Sequence, residues 1–200
     1  MRMNVHRSIV VLLFCLGLAF PAHGQTYDPA TDFSTTQNPS GAWTFGWSAG
    51  LSGKLHIYQD CAEVPSSHFW EDKTILSAND PHVGYSWHDA MVDDIPPHKM
   101  LMHPGRQNQF SHCIFTAPSA GIYDVHATFT SIARGGPHVY ILQNGMSMGG
   151  QVLREDKPWA FAPEPVTLET GDTIDFAVGV GLNRVFFSNE TTFSLVISKH

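Results

Sequence analysis

The clearest regularity along this chain is a period of two. From Ile122 to Thr130, the residues Tyr123, Val125, Ala127 and Phe129 alternate with Asp124, His126 and Thr128. That is the pattern of a strand with one buried face. From Thr173 to Val180, Ile174, Phe176, Val178 and Val180 share a side opposite Asp175, and Phe193, Leu195 and Ile197 repeat the pattern. Val139 to Leu142 is an apolar run leading into Gln143-Asn144-Gly145. Asn-Gly predicts a type I′ hairpin, because both central residues need positive φ. Ser119-Ala120-Gly121 and Thr170-Gly171-Asp172 read as turns before strands.

Upstream the pattern weakens. Trp43 to Trp47 and Lys54 to Gln59 read as strands, with Gly50 to Gly53 turning between them. Asp60 to Pro97 is rich in Pro, His, Asp, Ser and aromatic residues. It reads as long loops interrupted by a short strand near Tyr85 to Met91, with another following at Met100 to His103. No stretch holds a 3.6-residue period over three turns, and there is no internal repeat. The expectation is one all-β domain over 25–200, an antiparallel β-sandwich of jelly-roll type with about eight to ten strands.

The segment before it reads differently. Arg2 and Arg7 precede an apolar run from Ser8 to Phe20, and Pro21-Ala22-His23-Gly24 ends in small residues. This predicts a signal peptide over 1–24 and a secreted or periplasmic product. The apolar run is short for a membrane span. The 42% hydrophobic content argues against disorder. Losing Arg2 and Arg7 makes the remainder more acidic than the whole-chain net charge of −7. Nucleic acid and membrane insertion are therefore not expected. Lys199-His200 follows a strand-like segment with no tail resembling an anchor. Cys61 and Cys113 are the two cysteines left after Cys15 departs with the leader. In an oxidising compartment they are expected to form a disulfide, the alternative being two separate buried thiols.

Three segments occur in a suggestive order. They are Leu101-Met102-His103-Pro104-Gly105, Phe115-Thr116-Ala117-Pro118-Ser119-Ala120-Gly121-Ile122-Tyr123, and Gly171-Asp172-Thr173-Ile174-Asp175-Phe176-Ala177-Val178-Gly179. With Tyr27-Asp28-Pro29-Ala30-Thr31-Asp32-Phe33 and Asn38-Pro39, they resemble a family of exported bacterial β-sandwich domains. That family is carbohydrate-binding-like and is often found in proteins bearing a PEP-type C-terminal sorting signal. The resemblance implies fold and compartment more than activity. The chain departs from it at Cys113-Ile114-Phe115, where relatives tend to carry a bulky basic-aromatic pair. The Ala-Gly-x-Tyr strand followed by a Gly-Asp strand is also similar in topology to the complement C1q and tumour-necrosis-factor jelly rolls.

Chemistry is sparser. Indole faces stack on sugar rings while neighbouring polar groups satisfy the hydroxyls. Trp70 and Trp87 lie in the irregular stretch near Glu71, Asp72, His88 and Asp89; Trp43 and Trp47 read as core. Met100, Met102, His103, Met146 and Met148 are the residue types of a soft metal site, but no His-x-His or His-Glu-x-x-His spacing supports one. Hydrolysis has no anchor either, since Gly-x-Ser-x-Gly, Walker and dinucleotide motifs are all missing. Asn189-Glu190-Thr191 matches a glycosylation sequon.

The expected function is a secreted, non-catalytic module binding carbohydrate or a surface polymer, with no cofactor and no metal. Its site is expected at Trp70, Trp87, His88 and Asp89, with His103 and Arg106 as neighbours. A structural or adhesive homo-oligomer is the alternative, followed by a polysaccharide lyase or a metal-binding protein.

Overall fold

The computed structural model describes residues 24–75, 81–181 and 187–200. The expected leader therefore lies, apart from Gly24, outside the described residues. Among them there is no helix, and fifteen strands account for the regular structure. The first seven are β1 (Thr26–Tyr27), β2 (Trp43–Ser48), β3 (His56–Ile57), β4 (Asp60–Val64), β5 (Ser67–Glu71), β6 (His82–Tyr85) and β7 (Met100–His103). Then come β8 (Phe110–Thr116), β9 (Gly121–Ser131), β10 (His138–Gln143), β11 (Met146–Val152) and β12 (Trp159–Phe161). The last are β13 (Val166–Leu168), β14 (Thr173–Gly179) and β15 (Thr191–Lys199).

Two antiparallel sheets form a sandwich. The first runs β12-β9-β15-β7-β6-β5-β4, with β1 beside β15 and β13 beside β9; the second runs β11-β10-β14-β8-β2-β3. From β7 through β8 and β9 to β10 the chain changes sheet at every step, and β14 to β15 changes again. That is the interleaving of a jelly roll.

The two-residue period explains both faces. Tyr123, Val125, Ala127 and Phe129 point inward from β9, facing Ile174, Phe176 and Val178 of β14, and all are at most 3% exposed. Outward, Ile122 is 49% exposed. Phe129 stacks on Phe193 of its own sheet at 5.5 Å and meets Phe176 of the opposite sheet at 6.2 Å. Trp43 and Phe115 fill the other end at 5.4 Å. At the β10–β11 hairpin, Asn144 and Gly145 take φ of 50° and 78°, as the type I′ expectation requires.

Four expectations need correction. The Lys54–Gln59 strand shrinks to His56–Ile57, and in place of the Tyr85–Met91 strand there is His82–Tyr85, which ends where the expected strand was to begin. The supposed loop after Asp60 is a hairpin, β4–β5, with Cys61 opposite Trp70 and Glu63 opposite His68. The face that carries Trp70 also holds Cys61, Glu63 and His68, of which Glu63 is exposed, and this hides the alternation. Fifteen strands replace eight to ten because several are only two or three residues long.

The disulfide is also absent: both thiols are free. Cys113 sits in the middle of β8, flanked by Phe45 of β2 and Phe176 of β14. Cys61 lies on β4 at the edge of the other sheet, beside Trp70. Burial pushes the Cys113 thiol well up and the Cys61 thiol up less, so neither is readily ionised.

One polar tie crosses the sandwich edge. Trp47 Nε1 of β2 donates to Asp72 Oδ2, just beyond β5, at 2.9 Å. Burial alone would raise the Asp72 carboxyl. Hydrogen bonds from Thr74 and Trp47 outweigh it, leaving the pKa below its ordinary value.

Phe176→Ala should cost roughly 3–5 kcal/mol in chemical denaturation, whereas Ile122→Ala should stay within about 0.5 kcal/mol. Intact mass should not change on reduction, and Cys113 should resist alkylation until the protein unfolds. A lowered Asp72 pKa means that its contribution is present above the ordinary carboxylate value and lost as pH falls through the lowered one. Acid titration of the unfolding midpoint should therefore be shallower in Asp72→Asn than in the native chain.

Candidate functional site

The outer face of the first sheet is not open along its whole length. Val83 and Met102 point inward and are fully buried, so His82, Gly84, Leu101 and His103 must point outward. Loops fold over them, and Leu101, His82 and His103 are only 1%, 7% and 8% exposed. The result is a cleft of about 350 Å³. Phe69, His82, Leu101 and His103 form its floor, while Ser66, Ile95, Arg106, Phe187 and Glu190 contribute to its walls.

Local geometry sets this floor. At Gly84 an added Cβ would lie 2.9 Å from Phe69 Cβ and 3.0 Å from Leu101 Cδ1, so only glycine lets these two side chains approach across β6. The imidazoles of His82 and His103 stack at 5.6 Å, and Phe69 meets His82 at 5.1 Å. His103 Nδ1 lies 2.7 Å from the Pro104 carbonyl, which makes Nδ1 the protonated nitrogen of the neutral ring. Arg106 lies over the Phe187 ring at 5.7 Å, within cation–π range. Glu190 Oε2 is 3.6 Å from His82 Nε2, while Oε1 is buried with no hydrogen-bond partner among the described residues.

The expected site residues separate into three groups. His103 and Arg106 meet in the cleft. Trp87, His88 and Asp89 lie on the adjoining loop, where Trp87 is 44% exposed. The Trp87 ring stacks on His88 at 3.8 Å and on His68 at 5.9 Å. His88 Nε2 bonds the Pro65 carbonyl, next to the cleft-lining Ser66. Asp89 accepts from His98 at 3.0 Å. Trp70 is the correction. It is a core residue, 4% exposed, whose Nε1 donates to the Ser34 carbonyl, and its place in β5 points it away from the outer face.

Sequence reasoning missed Phe69, Phe187 and Glu190. Glu190 sat inside the apparent sequon, but Asn189 and Thr191 are both fully buried. The sulfur-rich grouping also dissolves. Met100 and Met102 are core on β7, while Met146 is 71% exposed at the start of β11 in the other sheet. Among the described residues, no three His, Cys, Asp or Glu side chains converge as metal ligands would.

No family model and no curated protein matches this chain. Several solved structures are similar in general form. One is CBM51 from a Clostridium perfringens GH95 protein, in complex with methyl-galactose. It has 7% identity and a TM-score of 0.40, covering 88% of this chain and 100% of that one. Another is the CBM36-1 domain of a multidomain xylanase from the hindgut metagenome of Trinervitermes trinervoides. Its identity is 9% and its TM-score 0.36, over 79% of this chain and 97% of that one. The Podospora anserina GH26-CBM35 β-(1,4)-mannanase gives 9% identity and a TM-score of 0.35. There 88% of this chain spans only 28% of the mannanase.

The two tryptophans should separate cleanly in unfolding experiments. Trp70→Ala should cost about 3–5 kcal/mol, as large core truncations do. Trp87→Ala should cost well under about 1 kcal/mol, because its indole is partly solvated and stacks on two imidazoles at the surface rather than in the core.

Proposed function

We propose that this chain is an exported carbohydrate-binding module, and that its cleft on the first sheet binds sugar without transforming it. The observation that carries this reading is the Glu190 carboxylate. A buried acceptor oxygen without a partner costs about 1–3 kcal/mol, and a donor from a ligand would recover that cost. Sugar hydroxyls are such donors. Phe69 and Phe187 supply apolar surface for the C–H face of a ring, and Arg106 and His103 add polar groups at the same cleft. A volume of about 350 Å³ suits one or two sugar residues of a longer chain.

Trp87 extends the reading. Its indole is exposed on the loop that is tied to Pro65, beside the cleft wall, where a second ring of a polymer would pass. Single sugars should then depend on the cleft alone, and polymers on both. A glycan array with the mature protein identifies the ligand class. In titrations of the best polymer, Arg106→Ala and Glu190→Gln should each weaken binding at least about tenfold with the unfolding midpoint nearly unchanged. Trp87→Ala should weaken the polymer and leave a monosaccharide unaffected. An array with no glycan bound, or full binding by both cleft variants, would remove the proposal.

A further inference from the structure

A second constellation lies on the opposite face of the sandwich. Ser48 ends β2, His112 lies in β8 and Asp175 in β14, three strands that are adjacent in the second sheet. Their inward neighbours Cys113, Ile174 and Phe176 are fully buried, which turns His112 and Asp175 outward onto one face. Ser48 Oγ is 2.7 Å from His112 Nε2. His112 Nδ1 is 2.9 Å from Asp175 Oδ2 and 3.1 Å from Oδ1. The carboxylate holds the proton on Nδ1, so the Nε2 lone pair of the neutral ring faces the serine hydroxyl. The same hydroxyl donates to the Gly50 carbonyl at 2.8 Å, and rotation about its Cβ–Oγ bond redirects its single proton to Nε2.

Burial and shape add to the geometry. Ser48 and His112 are 1% and 3% exposed, and the Asp175 side chain is 17% exposed. All three line a cavity of about 280 Å³ whose apolar walls include Leu51, Leu55, Ile114 and Leu142. A polar network needed only for packing has no need of a cavity beside its hydroxyl. Here the nucleophile, the base and the group orienting the base share one.

From this we infer that Ser48, His112 and Asp175 form a nucleophilic site that hydrolyses small carboxylic esters. Ser48 Oγ adds to the ester carbonyl carbon while its proton passes to His112 Nε2. The bond to the leaving alkoxide breaks, and that oxygen takes the proton from Nε2, leaving acyl-Ser48. Water then adds to the acyl carbon and gives a proton to Nε2. The carbon–Oγ bond breaks, the proton returns to Oγ, and a carboxylic acid leaves. Water is the only co-reactant. Ser48 and His112 are the catalytic residues; Asp175 is a positioning residue. The apolar walls and the small volume select short acyl groups.

The test is covalent labelling by a serine-directed fluorophosphonate, read by intact mass and peptide mapping. One adduct at Ser48 is expected, protected by p-nitrophenyl acetate and abolished in Ser48→Ala. In His112→Gln the labelling rate should fall at least roughly 100-fold. Among the described residues lining the cavity, Asp175 is the one titratable group besides His112, and Cys113, next along β8, faces the core. In Asp175→Asn the ring is no longer held in the tautomer that aims Nε2 at Oγ, so labelling should slow at least about tenfold at fixed pH, and Asp175→Glu should restore part of the rate. A role in packing alone would change the unfolding midpoint and leave the labelling rate of the folded protein unchanged. Folded native protein that takes no label at Ser48 overturns the inference. So does a folded Asp175→Asn variant with an unchanged labelling rate.

Discussion

The structure depends on aromatic side chains being locked between two sheets. Phe129, Phe176, Phe193, Trp43 and Phe115 are at most 2% exposed, and interiors packed at crystal-like density leave no room to shift register. A strand that slipped by one residue would exchange its buried and solvated faces. Register is thus fixed from inside. Every outward residue inherits that rigidity, so groups on the outer faces are held without needing supports of their own.

Two patches of the outer faces are roofed by loops, and the same rule acts on each with opposite results. On the second sheet, three polar groups satisfy one another: serine to histidine to aspartate, each within 2.7 to 3.1 Å. On the first sheet, Glu190 is only partly answered, with one oxygen 3.6 Å from His82 and the other buried without a partner among the described residues. A completed network stiffens and pre-orients its members. An incomplete one has energy to gain from an incoming donor. That difference suits the first patch to recognition and the second to reactivity.

How much of this was legible follows from what occupies the inward positions. On β9, β14 and β15 these are nearly all apolar, and their alternation stands out in the sequence. On β4 and β5 the face that carries Trp70 also holds Cys61, the exposed Glu63 and His68, so a true hairpin looked like loop. His103 and Arg106 could be found because they flank a Pro-Gly bend. Glu190 and Phe187 could not, since nothing near them in sequence speaks of a cleft. Trp70 was misplaced because polar neighbours surround it in sequence, whereas its true neighbours lie across the strands. Ser48 and His112 are 64 residues apart, and His112 and Asp175 are 63 apart. No local motif can announce a group that exists only through strand pairing.

The loop between β6 and β7 then has a physical task. It carries Ile95 into the cleft wall and Trp87 onto the adjoining surface. Backbone bonds join Ser86 to Lys99 and Val92 to Ile95, and His88 ties the loop to Pro65; its other side-chain ties are at the surface. The Tyr85 hydroxyl lies 3.3 Å from His98 Nδ1, and His98 Nε2 lies 3.0 Å from Asp89. Because Asp89 and His98 are exposed, these ties are worth little individually. Strand-mounted floor residues are therefore held by the ladders of the sheet, while the wall rests on fewer and more exposed bonds. A polymer binder gains from that division. The floor sets which ring enters, and the wall with its exposed indole adapts to whatever continues beyond it.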